Sequence, residues 1–220
     1  MDYSPLKLLV WGKFACFTRP EMKVERVSYE VMTPSAARGV LEAIYWKPEF
    51  QWHIQEIRVL KPIRFFSMLR NEVKNRIAYA TAQRREEGNL HYYADEDRTQ
   101  RHTLCLRDVA YEIVAQAVVK PGIQEDAAKY RDQFRRRVQR GQCHQMPYLG
   151  CREFSASFGT EIPAGEQAQL QDISVDLGRM LFDLVYAGDQ SGRGEPLFFH
   201  AQLEGGVLHV PASLYQRKEQ

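Results

Sequence analysis

The chain has 220 residues, 44% of them hydrophobic, and 30 basic against 28 acidic side chains leave a formal charge of +2. That length can bury a sizeable core in one large or two small domains, and the near balance excludes a whole-molecule field that demands a polyanionic partner. No apolar run approaches a membrane span, and Leu8, Leu9 and Val10 run into Trp11, Gly12 and Lys13 rather than into a signal-peptide pattern, so no membrane role is expected.

Four cysteines, Cys16, Cys105, Cys143 and Cys151, are too few and too irregular for a disulfide framework and predict a reducing, cytoplasmic setting. Cys143, His144 and Cys151 lack the paired spacing of a zinc site, so structural thiols and no metal are expected.

In chain order, Leu6 to Phe17 is an apolar run with Trp11 and Phe14 and predicts the first strand, bent slightly at Gly12. Arg19, Pro20, Lys23 and Arg26 then form a basic loop before a strand at Val27–Val31. Thr33 can cap a helix and Pro34 suits its first turn. Ala37, Val40, Leu41 and Ile44 recur at i, i+3, i+4 and i+7, which makes one buried face. At about 100° per residue, Tyr45 falls roughly 90° off that stripe, over Arg38 and Glu42. Its ring can pack at the core edge, or its phenol can serve at the rim. Trp46, Lys47 and Pro48 end the helix.

Trp52 to Phe66 reads as one strand, with Pro62 limiting how central its far end is. From Met68 to Arg101 the pattern dissolves into Arg70, Lys74, Arg76, Arg84 and Arg85 interleaved with Tyr79, Tyr92 and Tyr93. Such a stretch is either a solvated insertion or a surface for single-stranded nucleic acid, where cations meet phosphates and rings stack on bases. Thr103 to Val119 alternates as a half-buried strand, and Lys120-Pro121-Gly122 marks a turn.

Asp126 to Arg140 predicts a second helix with Ala127, Tyr130, Phe134 and Val138 as its apolar stripe. Lys129, Arg136 and Arg140 lie near the opposite side, flanked by Arg131, Arg135 and Arg137, against Asp132 alone within that set. A charge run is usually a solvated face. Charges of nearly one sign repel, however, and a phosphate backbone is their natural counter-charge. Gln142 to Phe154 mixes a possible strand with glycine and proline and brings His144, Arg152 and Glu153 near the helix end.

The order β-α-β, insertion, β-α-β predicts an α+β domain of ferredoxin-like or RNA-recognition-motif type over residues 1–157, with the insertion at about 68–101 and both helices on one side of an antiparallel sheet. Residues 158–220 predict a small β-rich domain with a hairpin turn at Glu204-Gly205-Gly206. No phosphate-binding glycine loop, HExxH or nucleophile elbow occurs, which removes support for hydride transfer, nucleotide hydrolysis and α/β-hydrolase chemistry.

SYEVMTPSAARGVLEAIYWKP (28–48), IRVLKPI (57–63), LRDVAYEI (106–113) and RRRVQRGQCHQMPYLGCREF (135–154) together resemble the type I-C form, subtype d or c, of the fifth CRISPR-associated Cas family. The resemblance spans about residues 5 to 155. It implies an endoribonuclease that cuts the repeat hairpin of the CRISPR precursor transcript without metal or other cofactor. The 2′-hydroxyl attacks its own phosphate and leaves a 2′,3′-cyclic phosphate. It further implies a protein that stays on the 5′ handle, beside backbone and large subunits, in a complex that meets target DNA.

The family's tyrosine on the first helix matches Tyr45, and the lysine of its lysine–histidine pair matches Lys129. At the histidine position this chain has Tyr130, whose ordinary pKa near 10 lies far from imidazole's value near 6.5. Three possibilities follow: Tyr130 orients without ionising, His144 or His102 supplies the imidazole, or cutting is slow. Candidate phosphate contacts are Arg19, Lys23, Arg26, Lys47, Arg135, Arg136, Arg140 and Arg152, with His144 as a backup acid or base or a plain hydrogen-bonded residue. The runner-up expectation is a non-catalytic subunit that holds the 5′ handle. A general RNA-recognition-motif protein ranks below both, because LCLRDVAYEI carries a single aromatic residue, Tyr111.

Overall fold

The computed structural model describes residues 5–22, 24–75, 83, 93–163, 168–186 and 194–218. Among these residues nine strands form one hydrogen-bonded sheet, mostly antiparallel, with few helices packed on it, so the α+β class holds.

The central strand is β5 (Arg98–Val119), long enough to serve two sets of neighbours. Its C-terminal half lies between β1 (Leu6–Ala15) and β3 (Phe50–Val59), both antiparallel to it. Its N-terminal half pairs with β4 (Phe65–Val73) and, in parallel, with the short β2 (Arg26–Val27). Beyond β1 lies β6 (Ser157–Gly159). Beyond β3 come β9 (Val207–His209), β8 (Gly194–Glu204) and β7 (Val175–Tyr186). The order along the sheet is therefore β6-β1-β5-β3-β9-β8-β7.

Several strand expectations need correction. Val27–Val31 contributes only its first residue to β2; Ser28 adds an isolated bridge to Thr18. Trp52–Phe66 is two strands on one edge of β5, broken where Pro62 has no N–H to donate. Across the break, Leu60 N donates to the Ala110 carbonyl at 2.9 Å and Arg107 N to the Arg64 carbonyl at 2.9 Å. Opposite it, Asp108 adopts φ 53° and accepts from the buried Lys61 Nζ at 2.7 Å. The ends of the expected insertion at 68–101 are the paired strands β4 and β5; residues 76–82 and 84–92 lie outside the described residues. Finally, Gln142–Phe154 is irregular, with one bridge between Tyr148 and Ser155, and the strand comes later as β6.

Helix α1 (Pro34–Ile44) begins where the sequence places it: the Thr33 hydroxyl accepts from Ala36 N and Pro34 fills the first turn. Ala37, Val40, Leu41 and Ile44 are buried, each branched side chain worth about 1.5–3 kcal/mol of removed apolar surface. Helix α2 (Ala127–Gln139) is capped by Asp126, which accepts from Ala128 N at 2.9 Å. Gly141, at φ 62°, ends it. Its N–H reaches the Val138 carbonyl and that of Gln142 the Arg137 carbonyl, the paired bonds of a Schellman motif. A short C-terminal helix, α3 (Ser213–Lys218), follows β9. The β8–β9 turn is the expected hairpin: Gly205 and Gly206 both have positive φ, as a type I′ turn requires.

Candidate active site

The C-terminus of α1 and the first turns of α2 meet over Phe50, the first residue of β3. The Phe50 ring stacks on Tyr130 at 4.6 Å and lies tilted against Tyr45 at 5.8 Å, with Trp52 edge-on at 5.1 Å. Two phenol-bearing rings, one from the cap of α1 and one from α2, are therefore fixed against one buried aromatic.

Tyr45 does not sit on the helical surface over Arg38 and Glu42. Helix α1 stops at Ile44, and Tyr45 is its C-cap, in extended backbone at φ −153° and ψ 120°. Its ring is turned inward, leaving the residue 6% exposed. The α1 terminus has no basic residue in its own last turn, so its free carbonyls draw on other elements. His144 N and Gln145 N donate to the Ala43 carbonyl, Arg137 Nη1 to the Ile44 carbonyl at 2.8 Å, and Trp52 Nε1 to the Tyr45 carbonyl at 3.0 Å. Arg137 thereby supplies the positive charge that a helix C-terminus favours, and its guanidinium lies 5.0 Å from the Tyr45 ring centre.

Lys129 stays in water, its side chain 61% exposed and its ammonium 2.8 Å from Glu125 Oε1. That hydrogen bond holds its pKa above the ordinary lysine value. Tyr130 lies on the buried stripe, 3% exposed, so its ring is a packing element as well as a candidate. Burial, reinforced by Glu49 and Glu125, pushes its phenol up. Burial and Glu49 also raise the Tyr45 phenol, opposed by Arg137, Lys129 and Arg136. Both phenols are neutral near pH 7 and can donate or orient, while Lys129 is a full cation. Glu49 brings a carboxylate into this cluster, and its Oε2 is buried without a hydrogen-bond partner.

The basic residues divide into two groups. Arg135, Arg136 and Arg140 line the exposed side of α2, where Arg135 has Asp132 at 3.7 Å and Arg136 bonds Gln133. Lys47, His144 and Arg152 are also exposed, and His144 is anchored to α1 through its backbone. By contrast, Arg19 is held by Glu30 through two contacts of 2.8 and 2.9 Å and lies over the Tyr29 ring. Arg26 is shared by Glu72 and Glu153. Lys23 lies outside the described residues. His102 is on β5 opposite Leu69 of β4, apart from the helix junction. Among the described residues no metal-holding group of three or more His, Cys, Asp or Glu comes together; Cys151 instead reaches the Cys16 carbonyl at 3.6 Å, and all four thiols are free.

A family model described as CRISPR-associated protein (Cas_Cas5), subtype Cas5d, matches residues 5–211. The chain belongs to the Cas5d family. It is 46% identical, over 96% of its length and 93% of the relative's, to a protein of Thermus thermophilus named CRISPR pre-crRNA endoribonuclease Cas5d. The fold is shared with a solved CRISPR-associated protein at TM-score 0.64 and 22% identity, covering 94% of this chain and 92% of that one. It is shared also with a chain of a CRISPR RNA-guided surveillance complex at TM-score 0.55 and 14% identity, covering 98% and 97%.

Within this Cas5d chain, sequence reasoning missed three members of the site. Phe50 carries a weak signal, an aromatic residue two positions after the helix-ending Pro48. Arg137 looks in sequence like one more cation of a solvated flank. Glu49 leaves no signal, because an orphaned carboxylate oxygen is a property of packing.

Proposed function

We propose that this chain is a metal-independent endoribonuclease that cuts the repeat hairpin of a CRISPR precursor transcript and stays on the 5′ handle as a subunit of a type I-C surveillance complex in the cytoplasm. One observation carries the reading: Tyr45 and Tyr130 pack on the same Phe50 ring, which brings the neutral Tyr45 phenol within electrostatic range of the exposed ammonium of Lys129, the residue before Tyr130. The name of the Thermus relative supports the substrate class, and the fold shared with a surveillance-complex chain agrees with membership beside backbone and large subunits and, through them, contact with target DNA. The ferredoxin-like description is supported by the strand order β6-β1-β5-β3 with antiparallel neighbours, which carries that unit through β6 to Gly159.

In the proposed reaction the 2′-oxygen attacks the adjacent phosphorus and the 5′-oxygen leaves. Tyr45 orients the 2′-hydroxyl, whose proton passes to solvent. Lys129 neutralises the added charge on the phosphorane and gives a proton to the departing 5′-oxygen. Arg135, Arg136 and Arg140 hold phosphates on the exposed face of α2. Tyr130 positions this constellation from below through its stack on Phe50.

Purified protein and a repeat hairpin in EDTA, resolved on a denaturing gel, test the proposal. A single cut at the 3′ base of the stem, with a cyclic phosphate on the upstream product, is expected. Binding without any cut supports the second reading, a handle-holding scaffold, which the phenol at the family's histidine position favours.

A further inference from the structure

Trp46 follows Tyr45 and does the opposite of it. Because Tyr45 is extended, successive side chains leave the backbone on opposite sides. Tyr45 turns inward onto Phe50, and Trp46 is left 56% exposed at the tip of α1. Among the described residues no hydrogen bond or ring contact engages its indole, whereas Trp52 is buried and bonded to the Tyr45 carbonyl. Lys47 beside it is exposed, and Lys129, Arg136 and Arg140 supply cations along α2. A bare indole with an exposed lysine beside it, one residue from a candidate catalytic phenol that lies within electrostatic range of Lys129 and Arg136, matches the elements by which single strands are held: a π-face for a base and charges for its phosphates.

We propose that Trp46 is a stacking platform for a single unpaired nucleobase flanking the scissile linkage, with Lys47 on the adjoining phosphate. This rests on the ribonuclease reading and adds a residue that sets register: a base seated on Trp46 fixes which linkage reaches Tyr45. The platform accepts any base, since every base has a π-face, so it selects for an unpaired position rather than for a sequence.

The test uses the full chain and repeat RNA carrying a 2′-deoxy nucleotide at the cut, which removes the nucleophile and leaves binding measurable, at one fixed salt concentration. Trp46→Ala should weaken binding by about 5- to 150-fold, the range for losing one base–aromatic stack. Trp46→Phe keeps a ring and should stay within about threefold of wild type. An abasic scan of the RNA should find one position next to the cut whose loss costs the wild type as much as Trp46→Ala and costs that variant nothing further. With cleavable RNA, Trp46→Ala should also cut at more than one linkage.

If the wild type binds and cuts while Trp46→Ala matches it in affinity and cut position, the inference falls and the ribonuclease reading stands; Trp46 then faces a protein or solvent. Abasic losses that add fully to Trp46→Ala at every position overturn it equally. Failure of the wild type to bind repeat RNA overturns both.

Discussion

The guanidinium of Arg137 sits 5.0 Å from the centre of the Tyr45 ring while its Nη1 donates to the carbonyl of Ile44, the residue before that tyrosine. One side chain of α2 thus closes the end of α1 and covers the phenol-bearing ring on that end. A charged hydrogen bond to a helix carbonyl contributes about 1.5–3 kcal/mol, and a cation–π contact about 0.5–1 kcal/mol more. Arg137→Ala should therefore lower stability by about 2–4 kcal/mol in urea denaturation. Arg137→Lys should recover only part, because an ammonium cannot cap and cover together. An Ala variant with an unchanged midpoint would leave Arg137 a solvated cation.

Tyr45→Phe and Lys129→Ala should each bind repeat RNA within a few-fold of wild type and cut it about 10²–10⁴-fold more slowly in single turnover, the usual reach of a positioned proton-transfer group. Neither change removes buried volume: the phenyl ring keeps the Phe50 contact, and Lys129 is exposed. Wild-type rates in both variants would reduce the cluster to a scaffold.

The pH dependence follows from the same groups. Tyr45 and Tyr130 are held above the ordinary phenol value and Lys129 above the ordinary lysine value, so none changes charge between about pH 6 and 9. The single-turnover rate should show no inflection near 6.5 and should fall only at alkaline pH, where Lys129 loses the proton it donates. An inflection near 6.5 that disappears in His144→Ala would assign the chemistry to that imidazole instead.

Much of this arrangement is legible in the chain. Thr33-Pro34 and the 37-40-41-44 stripe specify α1 at both levels, capping and burial, and α2 is read equally well. Tyr45 escapes a helical projection because the projection assumes that the helix continues, while its stopping point depends on carbonyls capped by Arg137, Trp52 and the loop at His144. Strand β4 hides for another reason. Phe65, Ser67, Leu69, Asn71 and Val73 share an exposed face, so apolar residues point to water and the alternation carries no burial signal. Arg19 and Arg26 look like free cations in sequence, and only the fold delivers Glu30, Glu72 and Glu153 to them. That β9 pairs with β3 likewise has no local signature, because distant strands choose partners through the assembled core.

Alkaline stability should be governed by buried phenols, Tyr111 first. Burial alone raises its pKa, so the folded state resists its ionisation while the unfolded chain ionises near pH 10. Its contribution is complete below that value and is lost as pH rises further. Tyr111→Phe keeps the buried ring and should leave the neutral-pH melting point within a few degrees while moving the alkaline unfolding midpoint upward. An unmoved alkaline midpoint would shift that role to other phenols.

Asp183 of β7 is the acid on which the join between α1 and the later strands depends. Its side chain is 5% exposed and receives Arg38 Nε at 3.1 Å and Nη2 at 2.8 Å, while Arg38 Nη1 reaches Glu42 at 2.7 Å. The two carboxylates hold Arg38 well above its usual pKa despite the burial that opposes it. Their contributions should differ sharply. Glu42→Ala removes a half-exposed i,i+4 partner and should cost about 0.3–0.5 kcal/mol. Arg38→Ala leaves Asp183 buried without its fork and should cost about 3–5 kcal/mol, whereas the paired change Arg38→Met with Asp183→Leu should recover most of that loss. Urea denaturation of the three variants checks the order. If Arg38→Ala costs no more than Glu42→Ala, water reaches Asp183 and the join rests on the apolar contacts of α1 alone.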